Sequence, residues 1–377
     1  MVKVVTILGT RPEIIRLSRV MALLDEHLDH VIVHTGQNYD YELNEIFFKD
    51  LEIRKPDYFL NVETTSLGKV LGDTISKTEG VLLKEKPDAV LILGDTNSCF
   101  SGIIARRLKI PLYHMEAGNR CYDFNVPEEI NRRLIDHVSD FNLVYTEHAR
   151  RNLLAEGYPA RNIYLTGSPL NEVLRYYKGK IESSNALREL DLDSGNYFII
   201  SVHREENVDN SDNLKKILCI LNGLAEKYRI PIIVSTHPRT RKMLAGLGEY
   251  SLNSLVKLCN PFAFTDYVHL EQNALCTLSD SGTISEESAI LNFPAVTIRE
   301  AIERPEAVDA GTIVLTGLDA EIVLNSVNLV ISEHRSTPQR QIPWEYCVEN
   351  TSWRVLRLIL GTCRLSNKWR NIIPPQI

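Results

Sequence analysis

Six apolar, β-branched runs in this chain each stop at a short turn rich in Gly, Asp, Glu, His or Arg, and this recurrence constrains the fold more than any other feature. Lys3 to Leu8 runs into Gly9-Thr10-Arg11. Ala89 to Leu93 runs into Gly94-Asp95-Thr96-Asn97, and Pro111 to Met115 into a turn holding Glu116, Ala117 and Gly118. Asn196 to Val202 precedes His203-Arg204-Glu205, and Ile232 to Ser235 precedes His237-Pro238-Arg239. Ala274 to Leu278 precedes Asp280-Ser281-Gly282-Thr283. Helix-compatible segments lie near Pro12 to Asp25, Tyr41 to Lys49, Leu67 to Lys84, Ser98 to Leu108, Pro127 to Val138 and Asp212 to Tyr228. Further strands are expected at His30 to Thr35, Phe141 to Tyr145, Ser254 to Leu258 and Ala295 to Ile298. Strands that are apolar throughout, rather than in alternate positions, are covered on both faces. Their alternation with helices predicts parallel, doubly wound α/β sheets.

The rhythm occurs twice, and 377 residues suffice for two domains of ordinary size. The expected first domain is residues 1–168 joined by a C-terminal helix within 350–377. The second is residues 169–349, with the polar stretch Lys178 to Ser194 as a linker. Apolar residues make up 44%, enough for packed cores, so the chain is not of the disordered class. The net charge of −7 and the lack of a Lys/Arg stripe argue against a nucleic-acid partner. No apolar run approaches the roughly 18 residues that span a bilayer, so no membrane association is expected. Met1 to Leu8 is too short for the apolar region of a signal peptide. The seven cysteines include no CxxC pair and read as reduced thiols of a cytoplasmic protein. No HExxH and no Cys or His pair at ligand spacing suggests a metal site.

In open α/β sheets, ligands sit beyond the carboxyl ends of the strands, where the polar turns of this chain gather. They carry two chemistries. Arg11, His203, Arg204 and Ser281 with its backbone suit phosphoryl oxygens, through guanidinium forks and helix-terminus amides. The order of strand, small-residue turn and helix around Asp280 to Ser288 suits a diphosphate, with Glu286 and Glu287 one turn in as acceptors for ribose hydroxyls. The bland reading of the same segment is an ordinary capped turn. Asp95, Glu116 and Glu128 or Glu129 form a carboxylate group from the first half. Converging carboxylates raise one another's pKa, so that one can act as base and another as acid. For Glu128-Glu129 alone, a proline-initiated helix with favourable first-turn acids is the better explanation of the pair.

The ordered set of motifs resembles the non-hydrolysing UDP-N-acetylglucosamine 2-epimerases along nearly the whole chain. It comprises Gly9-Thr10-Arg11-Pro12-Glu13, Gly94-Asp95-Thr96, Glu116-Ala117-Gly118 and Pro127-Glu128-Glu129 with Asn131-Arg132. It continues with His203-Arg204, Asp280-Ser281-Gly282 with Glu286-Glu287, and Glu303-Arg304-Pro305-Glu306-Ala307. The resemblance implies a GT-B-like pair of Rossmann-like domains with the nucleotide sugar in the interdomain cleft, a homodimer, and no redox or other cofactor. It implies removal of the C2 proton with elimination of UDP, a glycal intermediate, and return of UDP with a proton on the opposite C2 face. It assigns Asp95, Glu116 and Glu128, with His203, to the catalytic set. Arg11, Arg16, Arg132, Arg204, Ser281, Gly282, Thr283, Glu287 and Arg304 go to the substrate-binding set.

The chain departs from the plain family pattern at Arg16, where lysine is usual, at Asn119 within Gly118-Asn119-Arg120, at Thr283, and across Gln37-Asn38-Tyr39-Asp40. These departures resemble a subgroup that makes UDP-N-acetyl-L-fucosamine from UDP-2-acetamido-2,6-dideoxy-L-talose for surface polysaccharide. The other readings are the parent UDP-N-acetylglucosamine enzyme, a UDP-2,3-diacetamido-glucuronate 2-epimerase, a GT-B glycosyltransferase that needs an acceptor, and a non-catalytic binder of UDP-sugars.

Overall fold

Runs rich in Val, Ile and Leu build the centre of each half of this computed structural model, which describes residues 1–36, 48–208, 210–236, 252–337 and 341–373. The Gln37 to Asp40 segment, most of the helix expected at 41–49 and the His237-Pro238-Arg239 turn lie outside the described residues. The chain divides into two units, Met1–Tyr176 with Val348–Ile377, and Tyr177–Cys347.

In the first unit, β1 (Lys3–Leu8), β2 (Asp29–His34), β3 (Tyr58–Phe59), β4 (Ala89–Leu93), β5 (Leu112–Met115), β6 (Phe141–Val144) and β7 (Ile163–Leu165) form a parallel sheet in the order β3-β2-β1-β4-β5-β6-β7. Val4 pairs with Ala89 and Ile7 with Ile92, and all four are buried, as a sheet covered on both faces requires. Helices α1 (Arg11–His27), α2 (Leu67–Glu85), α3 (Ser101–Arg107), α4 (Pro127–Val138), α5 (Glu147–Ala155) and α6 (Leu170–Tyr176) connect the strands. Starts are set by local chemistry. Thr146 caps α5 by accepting from Ala149, and Pro127 opens α4 where its missing N–H costs nothing. The order reverses between β1 and β4, so the carboxyl ends at that point flank the expected ligand crevice.

The second unit repeats the pattern. Strands β8 (Phe198–Ser201), β9 (Ile232–Ser235), β10 (Val256–Cys259), β11 (Cys276–Ser279), β12 (Ala295–Thr297) and β13 (Val314–Leu315) are parallel, in the order β10-β9-β8-β11-β12-β13. Phe198 pairs with Cys276 and Ser201 with Ser279, so the reversal falls between β8 and β11. Helices α7 (Ser211–Tyr228), α8 (Phe264–Asn273), α9 (Ile284–Leu291) and α10 (Ala320–Ser336) cover the sheet. Leu221, Leu224, Val323 and Val327 pack with Ile200, Val234 and Leu278 in one core cluster. The final helix α11 (Thr351–Trp369) returns to the first unit. The Thr351 hydroxyl donates to the carbonyls of Thr166 and Ser168, and the Ser352 amide to Glu172.

Two expectations change. The polar stretch read as a linker contains two short helices, Lys178–Glu182 and Ala186–Glu189. Ala186, Leu187, Leu190 and Leu192 pack against Tyr197, Ile199 and Leu270, so this stretch is part of the second unit's core. The helix expected at 98–108 begins instead as a 3₁₀ turn, Asn97–Phe100, before α3. All seven cysteines are unpaired. Among the described residues, no helix is long and apolar enough to cross a membrane, and no group of His, Cys, Asp or Glu side chains could hold a metal ion.

Candidate active site

In the first unit, three loops at the carboxyl ends of β1, β4 and β5 are tied together from beneath. Glu13 starts the tie. Its carboxylate reaches back to the amides of Gly9 and Thr10 at 2.5 and 2.8 Å, closing the first turn of α1. The same carboxylate accepts from the hydroxyls of Thr96 and Ser98, both at 2.6 Å, and so joins the β1 loop to the β4 loop. Burial pushes the Glu13 carboxyl above its ordinary range, against these four donors.

Asp95 stands in the β4 loop with one-fifth of its side chain exposed, against Arg132 of α4. Arg132 Nε and Nη2 reach Asp95 Oδ2 at 2.9 and 2.7 Å, and the Asn131 side chain donates to the Asp95 carbonyl at 2.8 Å. Glu116 in the β5 loop takes φ +65°, a left-handed conformation costing about 1–2 kcal/mol for a residue with a Cβ. It accepts from Arg16 of α1, which is buried, and from Asn119 at 3.4 Å. Arg16, expected in the substrate-binding set, donates to Glu116 through Nη1. Two residues later, Gly118 has φ +82°, and any Cβ there would collide with the Ala149 carbonyl oxygen. Only glycine fits.

The acidic pair opening α4 divides. Glu129 is fully buried, accepts from the Cys121 amide at 3.0 Å and pairs with Arg133 at 2.8 Å and Arg132 at 3.4 Å. Glu128 is partly exposed and makes no ion pair among the described residues. Arg11 is exposed at the first turn of α1.

In the second unit, one buried carboxylate organises the site end. Asp280, fully buried after β11, accepts from the amides of His203 and Arg204 at 3.1 and 3.0 Å and from the Asn207 side chain at 3.0 Å. His203 Nδ1 lies 3.0 Å from Asp280 Oδ1, while half of the imidazole remains exposed. Burial alone would raise the Asp280 pKa, but His203 and the other donors outweigh it and hold the carboxyl at about 2. Ser281, Gly282 and Thr283 are partly exposed in the turn entering α9. The Ser281 hydroxyl lies 2.8 Å from that of Thr283 and accepts from the Thr283 amide at 3.2 Å. The amides of Glu286 and Glu287 close the first turn of α9 on the Thr283 carbonyl, each at 2.9 Å, and the positive end of the helix ahead of them suits an anion. Arg204 and Arg299 reach the two oxygens of Glu303 at 3.5 and 3.2 Å, beside Gly282.

The second acidic pair also divides. Glu286 is fully buried and pairs with Arg304 at 2.9 Å. Arg304, expected in the substrate-binding set, is 3% exposed. Nearby, Tyr346 donates to Glu306 at 2.7 Å. Glu287 lies at the edge of the burial, and burial with Glu287 beside it pushes the Glu271 carboxyl well up. Residue types alone did not single out Glu13, His114, Asp136 or Asp280 as organisers. The available signal was an ionisable residue inside or just beyond an otherwise apolar run, as at His114 and Asp280.

The family described as UDP-N-acetylglucosamine 2-epimerase matches residues 22–360. The chain belongs to this family. It is thus an isomerase, with the two-domain α/β fold of GT-B type. It is similar to a solved UDP-N-acetylglucosamine 2-epimerase from Rickettsia bellii, with 49% identity and a TM-score of 0.90 over 98% of each chain. It is also similar to the Methanocaldococcus jannaschii UDP-GlcNAc 2-epimerase solved in complex with UDP-GlcNAc and UDP. That likeness has 36% identity and a TM-score of 0.88, over 95% of this chain and 99% of that one. A third epimerase relative, the UDP-2,3-diacetamido-2,3-dideoxy-D-glucuronate 2-epimerase of Pseudomonas aeruginosa, is 35% identical over 86% of this chain and 91% of its own length.

Proposed function

We propose that this epimerase interconverts UDP-N-acetylglucosamine and UDP-N-acetylmannosamine by eliminating UDP and adding it back. The observation that carries the reading is the different pairing of three carboxylates at one end of one sheet. Asp95 is held against Arg132 and Glu116 against Arg16, while Glu128 has no ion pair among the described residues. A guanidinium partner favours the ionised form, so Asp95 and Glu116 suit accepting the C2 proton. Glu128 is left to return a proton on the other face. Loss of UDP from C1 places charge on the diphosphate, and the positive end of α9, with Arg204 and His203, suits stabilising it. Glu287 suits the ribose hydroxyls. The substrate is supported by the names of the Rickettsia and Methanocaldococcus relatives.

One observation favours a second reading. Two of the departures from the family pattern, Arg16 and Asn119, both contact Glu116. A planar guanidinium and a compact ammonium place their donors differently, so the setting of Glu116, and with it the sugar, can differ. This supports UDP-2-acetamido-2,6-dideoxy-L-talose as substrate, giving UDP-N-acetyl-L-fucosamine for surface polysaccharide. Proton NMR of the enzyme with each UDP-sugar alone tests both. Conversion without any acceptor supports the epimerase and excludes a glycosyltransferase, and bound but unchanged UDP-sugar points to a mere binder. A kcat/KM for the 6-deoxy sugar at least about tenfold above that for UDP-N-acetylglucosamine, roughly 1.4 kcal/mol, selects the second reading. Equal or better use of UDP-N-acetylglucosamine selects the first.

A further inference from the structure

The loops that carry Asp95 and Glu116 are joined by a carboxylate in contact with neither side chain. Asp136 lies on the inner face of α4, and its side chain, like those of His114 and Arg120, is fully buried. Asp136 Oδ1 lies 2.9 Å from His114 Nδ1. The other ring nitrogen of His114 lies 2.8 Å from the carbonyl oxygen of Gly94, the residue before Asp95. The amide of Gly118, two residues after Glu116, donates to Asp136 Oδ2 and Oδ1 at 3.1 and 3.3 Å. Arg120 Nη1 donates to Oδ2 at 2.7 Å, and its Nε and Nη2 hold Glu156 at 2.8 and 2.7 Å. One carboxylate therefore lies against the imidazole that is bonded to the β4 loop and accepts from an amide of the β5 loop.

The β5 loop needs such a tie. Gly94 and Gly118 have positive φ, at +72° and +82°, which glycine adopts freely, but Glu116 at +65° carries a Cβ. A non-glycine residue in this region persists only where the surroundings over-determine it. A fold-stabilising network alone could have been apolar, since a buried ion pair is weak evidence for stability and is often replaceable by packed hydrophobic residues. What an apolar core cannot supply is directional hydrogen bonding at two backbone positions, each within two residues of a reactive carboxylate. Misplacing a catalytic group by about 1 Å can cost about a hundredfold in rate.

We propose that Asp136, acting through His114 and the Gly118 amide, is a positioning residue that fixes the placement of Asp95 relative to Glu116. The proposal rests on the reading of those two carboxylates as proton carriers. The test is a double-mutant cycle of Asp136→Asn and Asp95→Asn, with UDP-N-acetylglucosamine as substrate and UDP as binding probe. Asp136→Asn is expected to lower kcat by about thirtyfold or more, with KM and the Kd for UDP within about threefold of wild type. Added to Asp95→Asn, it is expected to cost much less than it does alone, because both changes remove the same placed group. Unchanged kcat, or losses that multiply, overturn the proposal. Full activity of Asp95→Asn alone overturns the underlying reading, whatever Asp136→Asn does. Should Asp136→Asn fail to fold, His114→Gln keeps the Arg120 and Gly118 contacts of Asp136. It is expected to lower kcat about tenfold with UDP binding unchanged, and a normal kcat there overturns the proposal.

Discussion

The two units share a strand order over six strands, to which the first adds a seventh, but prepare their carboxyl ends in opposite ways. In the first unit, the end of the sheet is rich in carboxylates, three of them set against specific cations: Asp95 with Arg132, Glu116 with Arg16, and Glu129 with Arg132 and Arg133. In the second unit, a single buried carboxylate, Asp280, gathers two amides, Asn207 and His203, while the turn Ser281 to Thr283 stays partly exposed. One end offers negative oxygen and the other offers N–H groups. Such a division suits a reaction in which protons move at carbon while a diphosphate leaves and returns. It also shows that a duplicated topology does not dictate chemistry, which lives in the side chains grafted on the loops.

The largest expected effect is at Asp280. Asp280→Ala leaves His203 and two loop amides without their acceptor. Leaving a buried donor such as the Asn207 side chain without its acceptor costs about 1–3 kcal/mol, so a drop in urea midpoint and loss of UDP binding are expected. This contribution depends on pH. A carboxyl held at about 2 in the folded state and near 3.9 when unfolded stabilises fully above about pH 4, and the effect, about 2 kcal/mol, is lost as pH falls through about 2. The stability gap between wild type and Asp280→Asn should therefore shrink between pH 4 and pH 2, measured by urea unfolding. A gap that widens on acidification would show that the carboxylate is not held ionised.

Asp95→Asn should act on chemistry alone. UDP binding is expected within about tenfold of wild type and turnover is expected to fall at least about a hundredfold, the scale of a lost acid–base group. Calorimetry with UDP and NMR rates separate the two quantities. Normal turnover would erase the division of labour between the units. Glu287→Ala should do the reverse at smaller scale. Loss of its hydrogen bonds to ribose should weaken UDP about tenfold, near 1.4 kcal/mol, with kcat at saturation little changed. A change in kcat without a change in affinity would place Glu287 outside the nucleotide grip.

Much of the fold is legible in the sequence alone. Strands β1, β4 and β9 match their expected bounds because each is an unbroken β-branched run stopped by a turn or a polar residue. The edge strands β3, β7 and β13 were not expected, since two or three residues give no periodicity to read. Helices α8 and α10 were also missed, although Asp319 caps α10 by accepting from Ile322. Within the site, residue types pointed to the right loops but could not tell neighbours apart. Glu128 and Glu129, or Glu286 and Glu287, differ only in which way each faces on a helix, and that is set by packing. Asp136 and His114 were illegible for a different reason. They act on backbone of loops distant in the chain, and only the fold brings those atoms together.

Proton NMR of UDP-N-acetylglucosamine turnover in D2O tests most directly whether the carboxylate end performs proton transfer at C2. A carboxylate that takes the C2 proton exchanges it with solvent, and a proton from a different group returns on the other face. The expected product carries deuterium at C2. Product with protium fully retained at C2 would contradict the two-face mechanism and, with it, the roles of Asp95, Glu116 and Glu128 as proton carriers.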